Sequence, residues 1–327
     1  MRAIVFILSA AAILFFTTCE EDPTSSNFSN GLRSIKLYNL NSNSVSKIED
    51  VNNVVYDCEY KDSSNFGYST YYHAIGELIV RDLRTYNSYN GYFGSFIFCF
   101  RLYPELESIF TDGIYWIKNF GEIVSNLASG FSPVLIANSN ELTYGDFNNL
   151  SEGMIISYNL ETELIDTLIK VGGSYLAPIF ITEDEAYLIY TEQDLNTGGV
   201  SIKSLNLFDL QDIKILTSSI PISKLGKNRS VDDKIAFTSK GTVYVLDLNT
   251  GDILNVATSG QFADISNDGQ KVVFTTGFEM YLVNSDGTNQ QKLVGKTSEN
   301  KYLFLPSFSS NDQQIVFVES DYYYGYY

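Results

Sequence analysis

The clearest pattern of apolar and polar positions lies between Gln261 and Phe317. Residues 263–274 and 306–317 repeat one arrangement 43 residues apart: a short strand, a polar turn, and a β-rich strand ending in Phe274 or Phe317. Between them, residues 280–294 supply a second hairpin that turns at Ser285-Asp286-Gly287. Self-similarity at a period of 20–50 residues marks a solenoid, propeller or array. Four short antiparallel strands in each ~40 residues, with no helical pattern between them, predict the blades of a β-propeller.

An aromatic at the end of each candidate second strand lets the blades be counted. Tyr72, Phe110, Tyr144, Tyr190, Phe237, Phe274 and Phe317 fall at spacings of 38, 34, 46, 47, 37 and 43 residues, which predicts seven four-stranded blades. Six is the alternative count, because Tyr72 and Phe110 lie in the irregular N-terminal third. The third and fourth strands carry a refrain of their own: Leu246-Asp247-Leu248-Asn249-Thr250-Gly251, Tyr158-Asn159-Leu160-Glu161 and Ile117-Lys118-Asn119-Phe120-Gly121. Asn, Asp and Gly lower the cost of positive φ in such turns. Residues 35–48 carry the refrain (Leu37-Tyr38-Asn39-Leu40-Asn41) with no first and second strand before it, whereas residues 303–318 hold those two strands and little after them. The expectation is a shared blade in which the N-terminal hairpin joins the C-terminal one, covering edges that would otherwise stay open.

These repeats resemble those of TolB-like β-propellers, whose pattern is roughly Pro-x-Trp/Phe-Ser-Pro-Asp-Gly-Lys-x-Ile-Ala-Phe followed by Ile-Tyr-x-x-Asn-x-Asp-Gly and a later Leu. Ile265-Ser266-Asn267-Asp268-Gly269, Pro306-Ser307-Phe308-Ser309, Tyr281, Asn284, Asp286, Gly287 and Leu293 match it. Ala263, Asn267, Ser310 and Asn311-Asp312 depart from it. The resemblance is close over about 60 residues and implies a fold; a fold hosts many functions. A WD-type propeller fits less well, since Trp116 is the single Trp.

Residues 1–18 read as an export signal: Arg2, then an apolar run from Ala3 to Phe16 that is short for a membrane span. Phe16-Thr17-Thr18-Cys19 resembles a bacterial lipobox, which implies that Cys19 becomes the lipidated N-terminus and that acyl chains are the only membrane attachment. Glu20 to Asn27 are polar, with no apolar residue to bury, and residues 19–32 read as a disordered tether. Residues 33–327 are then a single propeller domain in the cell envelope, lipid-anchored on the periplasmic face or the cell surface.

The formal net charge of −18 repels phosphate backbones, so no nucleic-acid partner is expected. Cys58 and Cys99 lie 41 residues apart, about one blade period, and equivalent positions on neighbouring blades are too distant for a bridge. They read as buried free thiols. The single histidine, His73, has neither a Gly-x-Ser-x-Gly elbow nor a hydrolase-sized domain to serve, so no catalytic residue is assigned. Asp268-Gly269 and Asp286-Gly287 lack the spacing of a calcium loop and read as turns; no metal or cofactor is assigned. Tyr86, Tyr89 and Tyr92, and the Tyr-rich residues 322–327, could supply contact area to a ligand. The expected function is a monomeric binding or scaffold module for a protein or glycan. The alternative is a lyase or hydrolase that uses a carboxylate-bound cation in its channel.

Overall fold

The computed structural model describes most of residues 33–321. Residues 1–32 and 322–327 lie outside it, as do the stretches 52–53, 61–64, 73–74, 83–87, 94–99, 102–107, 111–113, 119–121, 129–130, 137–138, 149–151, 218–219, 221 and 298–300; between 52 and 133 the backbone alone is described. The chain opens with β1 (Arg33–Asn39) and β2 (Ser44–Val51). Then come β3 (Val54–Tyr60), β4 (Asn65–Tyr72), β5 (Ile75–Asp82) and β6 (Ser88–Phe93), followed by β7 (Phe100–Arg101), β8 (Ser108–Phe110), β9 (Ile114–Lys118) and β10 (Glu122–Ala128). Next are β11 (Phe131–Ile136), β12 (Glu141–Asn148), β13 (Glu152–Asn159), β14 (Ile165–Gly172), β15 (Ser174–Ile181), β16 (Tyr187–Asp194), β17 (Val200–Asn206) and β18 (Ile213–Thr217). The last third holds β19 (Lys224–Arg229), β20 (Lys234–Ser239), β21 (Thr242–Asp247), β22 (Ile253–Ala257), β23 (Phe262–Ile265), β24 (Lys271–Thr275), β25 (Met280–Asn284) and β26 (Gln291–Val294), and finally β27 (Tyr302–Phe308) and β28 (Gln314–Ser320).

Among the described residues these strands form seven four-stranded sheets. Six take four consecutive strands each, and the remaining one runs β2-β1-β28-β27. Every pairing is antiparallel, as two- to six-residue connections require. First strands lie against one another from sheet to sheet: β11 touches β7 and β15, β23 touches β19 and β27, and β27 touches β3. In the mixed sheet, β1 pairs with β28 from Arg33↔Ser320 to Asn39↔Gln314 without a register shift. The buried Glu319 accepts an ion pair from Lys36 at 2.7 Å across that seam.

Burial falls from the first strand to the fourth. First and second strands are covered on both faces and read as continuous apolar runs, as in β23 and β24. Fourth strands such as β14 expose most of their residues. Each of the seven counted aromatics lies in the second strand of a different sheet; only β4 and β8 end at it, and in β12, β16, β20, β24 and β28 the strand runs on past it, to Asn148, Asp194, Ser239, Thr275 and Ser320. Phe274 packs with Val243, Val245 and Val256 of the preceding sheet, and Phe317 with Val273, Met280 and Leu282 of the sheet before its own. Phe237 stacks on its cross-strand partner Tyr244 at 5.2 Å, and Phe274 on Tyr281 at 5.4 Å. These rings therefore fill the joints between sheets. Phe274→Ala and Phe317→Ala are each expected to cost about 3–5 kcal/mol in chemical denaturation. Midpoints no lower than those of exposed controls would show that the joints do not depend on these rings.

Candidate functional site

Two recurring turns build one end of the molecule. The first joins first and second strands. Thr182, Ser266 and Ser309 donate their hydroxyls to Asp184 (2.7 Å), Asp268 (2.7 Å) and Asn311 (2.8 Å), and Ser230 donates to Asp232. The same oxygens accept the backbone N–H of Tyr187, Lys271, Gln314 and Lys234, which open the next strand. The residue after the acceptor takes positive φ in all four: Glu185, Asp233, Gly269 and Asp312. At Gly269 the glycine is also a packing need, since a Cβ there would stand 2.3 Å from the Asp232 carboxylate.

The second turn joins third and fourth strands. Asn39, Asn159, Asn206 and Asp247 each accept two backbone N–H groups with one side-chain oxygen, as in Asn159 from Glu161 (3.0 Å) and Thr162 (2.9 Å). The Leu that follows each of them donates its N–H back to the first turn of its own sheet: Leu40 to Gln313, Leu160 to Asn140, Leu207 to Ala186, and Leu248 to Asp233. Both turns therefore share one end, and the N-terminal hairpin carries the same device as the others.

Neighbouring sheets are stitched there as well. Asp233 accepts Glu183 N–H (3.0 Å) and the Arg229 guanidinium (2.7 Å), and Arg229 also reaches Glu183 at 2.7 Å. The Asp312 carboxylate accepts Asn267 and Asp268 N–H at 2.6 and 2.9 Å. Burial raises the Asp312 pKa above its ordinary value against those two bonds. The Ala186 N–H and then the Thr182 hydroxyl hold that of Asp184 below its own. Deeper in, Asp264 on β23 is fully buried and accepts Asn228 N–H (2.8 Å), Asn228 Nδ2 (2.7 Å) and Phe308 N–H (3.0 Å). One carboxylate thus ties β19, β23 and β27 together.

This hydrogen-bonded end also carries exposed apolar side chains, here termed the apolar rim. Leu164 and Ile165 at the head of β14 are 70% and 62% exposed, Ile215 in the middle of β18 is 59% exposed, and Phe208 in the β17–β18 turn is 83% exposed. Ile213 and, in the following sheet, Leu254 continue the series. Exposed apolar side chains therefore recur on or beside the fourth strands of three consecutive sheets. Beside Leu164 and Ile165 lies a cavity of about 340 Å³, lined also by Glu141, Ser157, Asn159, Thr162 and Asp166.

None of these residues was singled out as a contact residue from sequence. Cys19, Tyr86, His73, Cys99 and residues 322–327 lie outside the described residues, while Cys58 falls in β3 and Tyr89 and Tyr92 in β6, where the backbone alone is described. Among the described residues no group of three or more His, Cys, Asp or Glu is placed to hold a metal ion.

No protein-family model and no curated protein matches the sequence. Among solved structures the chain is similar to a TolB-type protein from Agrobacterium tumefaciens, at 13% identity over 89% of this chain and 98% of that one, with a TM-score of 0.50. It is similar to an oligogalacturonate lyase in complex with manganese, at 11% identity over 88% and 90% of the two chains and a TM-score of 0.52. TolB from Acinetobacter baumannii is matched at 16% identity over 82% of this chain, with a TM-score of 0.48; the chain spans 64% of that protein's length. At these identities the likeness is one of fold, and the fold is a TolB-like β-propeller.

Proposed function

Proceeding from a TolB-like β-propeller, we propose that this chain is a binding module of a bacterial cell envelope. It is a seven-bladed ring closed by its two ends, tethered through residues 19–32 and a lipid on Cys19, and it presents its apolar rim to a protein partner. The observation that carries this reading is the recurrence of exposed apolar side chains on or beside β14, β18 and β22. Exposed apolar side chains that recur on successive sheets favour a surface that a partner covers. The export signal and the acidic tether, as read from sequence, support the address.

The rim is tested by placing a photo-crosslinking side chain at Ile165 or Ile215 of the full-length protein in its own cell. The control position is Lys240, which is exposed in the turn between β20 and β21 at the opposite end. Both rim probes are expected to give the same protein adduct and the control none. Adducts identical at all three positions would contradict the reading. The tether has a separate expectation: Cys19→Ala should lose fatty-acid labelling and leave the membrane fraction. Labelling unchanged by that substitution would place the lipid elsewhere.

A further inference from the structure

The sheet β11–β14 is electrostatically unlike its neighbours. No Lys or Arg occurs in sequence between Lys118 and Lys170, a stretch that includes Glu141, Glu161, Glu163 and Asp166. Lys170, the single basic residue of this sheet, is engaged with Glu152 at 2.7 Å near the far end of β14. Glu141 accepts the Ser157 hydroxyl at 3.1 Å, and Asp166 the Thr167 N–H at 2.8 Å. Neither carboxylate makes an ion pair among the described residues. Both face the 340 Å³ cavity, whose other wall is the exposed Leu164–Ile165 pair.

Comparison with the next sheet sharpens the point. The position of β18 opposite Ser204 is Lys214, whereas the position of β14 opposite Ser157 is Asp166. A Lys on an edge strand repels further strands and guards against edge-to-edge pairing. At this position β14 carries Asp166, and its own Lys170, four residues on, is paired to Glu152, so this end of the edge favours a chain of opposite charge. Among the described residues β14 is the outermost strand of its sheet, with no strand beside one row of its backbone N–H and C=O groups. Backbone pairing along such an edge supplies affinity, and pockets for alternate side chains supply specificity.

We propose that β14 takes an extended segment of the protein partner in which Lys or Arg alternates with aliphatic residues. The segment adds as a further strand, its cationic group enters between Glu141 and Asp166, and its aliphatic side chains cover Leu164 and Ile165. This rests on the binding-module reading and names the chemistry of the partner.

The test uses the full chain and three synthetic hexapeptides: alternating Lys and Val, alternating Glu and Val, and all Lys. The Lys–Val peptide is expected to bind, about tenfold or more tightly than either other peptide, and to lose about tenfold in the double variant E141Q/D166N. Asp166→Asn alone, at an exposed position, should give a smaller loss in the same direction with an unchanged melting midpoint, which separates charge from folding. Leu164→Ser with Ile165→Ser should weaken the Lys–Val peptide and leave the all-Lys peptide unchanged. Equal binding of the Lys–Val and all-Lys peptides, or of the Lys–Val and Glu–Val peptides, would overturn the proposal. So would wild-type affinity in E141Q/D166N, or a self-association of the chain abolished by Asp166→Asn, which would assign the edge to a second copy. If the crosslinked adduct at Ile165 survives E141Q/D166N in the cell, the charge assignment fails while the binding module stands. If there is no rim adduct at all, the module itself fails.

Discussion

Replacing Asp264 by Ala is expected to lower stability by about 3–5 kcal/mol, more than any surface substitution at this end of the molecule. Its carboxylate is fully buried and answers two backbone N–H groups and an amide from two other sheets. Ala would remove the acceptor and strand the two backbone N–H groups out of water, leaving the Asn228 amide only its bond to the Phe308 carbonyl, which costs more than the bonds themselves contribute. Asp264→Asn keeps one oxygen but turns an NH₂ toward the donors, so an intermediate loss is expected. A suitable control is Asp286→Ala, since Asp286 is exposed and bonds only within its own turn, to Thr288. Urea denaturation followed by near-ultraviolet circular dichroism reads the difference. An Asp264→Ala midpoint equal to the Asp286→Ala midpoint would mean that the three sheets do not need this staple.

The contrast between Asp264 and the aromatics explains what could be read from the chain. The Phe and Tyr of the second strands fill the same joint in sheet after sheet, so the same chemistry returns at one period and shows in a single sequence. The same holds for the Asn-Leu and Asp-Leu turns, where one side-chain oxygen must meet two N–H groups each time. Asp264 escapes this logic. The residue two before the turn serine is Asn228, Asp264 and then Ser307 in successive sheets; the Asp264 carboxylate accepts from Asn228 on one side and from the Phe308 N–H, next to Ser307, on the other, so this position does not repeat. The rim cavity was hidden for another reason. Glu141, Ser157 and Asp166 come from three strands, and their meeting depends on the registers Ser157↔Thr143 and Ser157↔Asp166 rather than on any local spacing. The absence of basic residues between Lys118 and Lys170 was visible as sequence, but its meaning depends on which edge it decorates.

Ring closure by the two ends of the chain is the proposed feature on which the fold and its tether both depend. The hairpin β1–β2 contributes Ile35 and Val51 to a cluster with Phe262, Phe304, Val316 and Val318, and its first strand pairs along all of β28. Residues 20–32 precede that strand in sequence and, on the proposed tether reading, are not needed by the ring. Two truncations measured side by side by thermal denaturation test the claim most directly. Deleting residues 20–32 is expected to leave the midpoint and cooperativity unchanged. Deleting residues 20–48 removes β1 and the first half of β2, bares the edge of β28 and uncovers Phe304 and Val316. Exposed edges of that kind template aggregation. The expected result is a sharp loss of soluble protein and of cooperative unfolding. Equal melting curves for the two truncations would contradict the account and reduce the N-terminal hairpin to an appendage on a ring that closes without it.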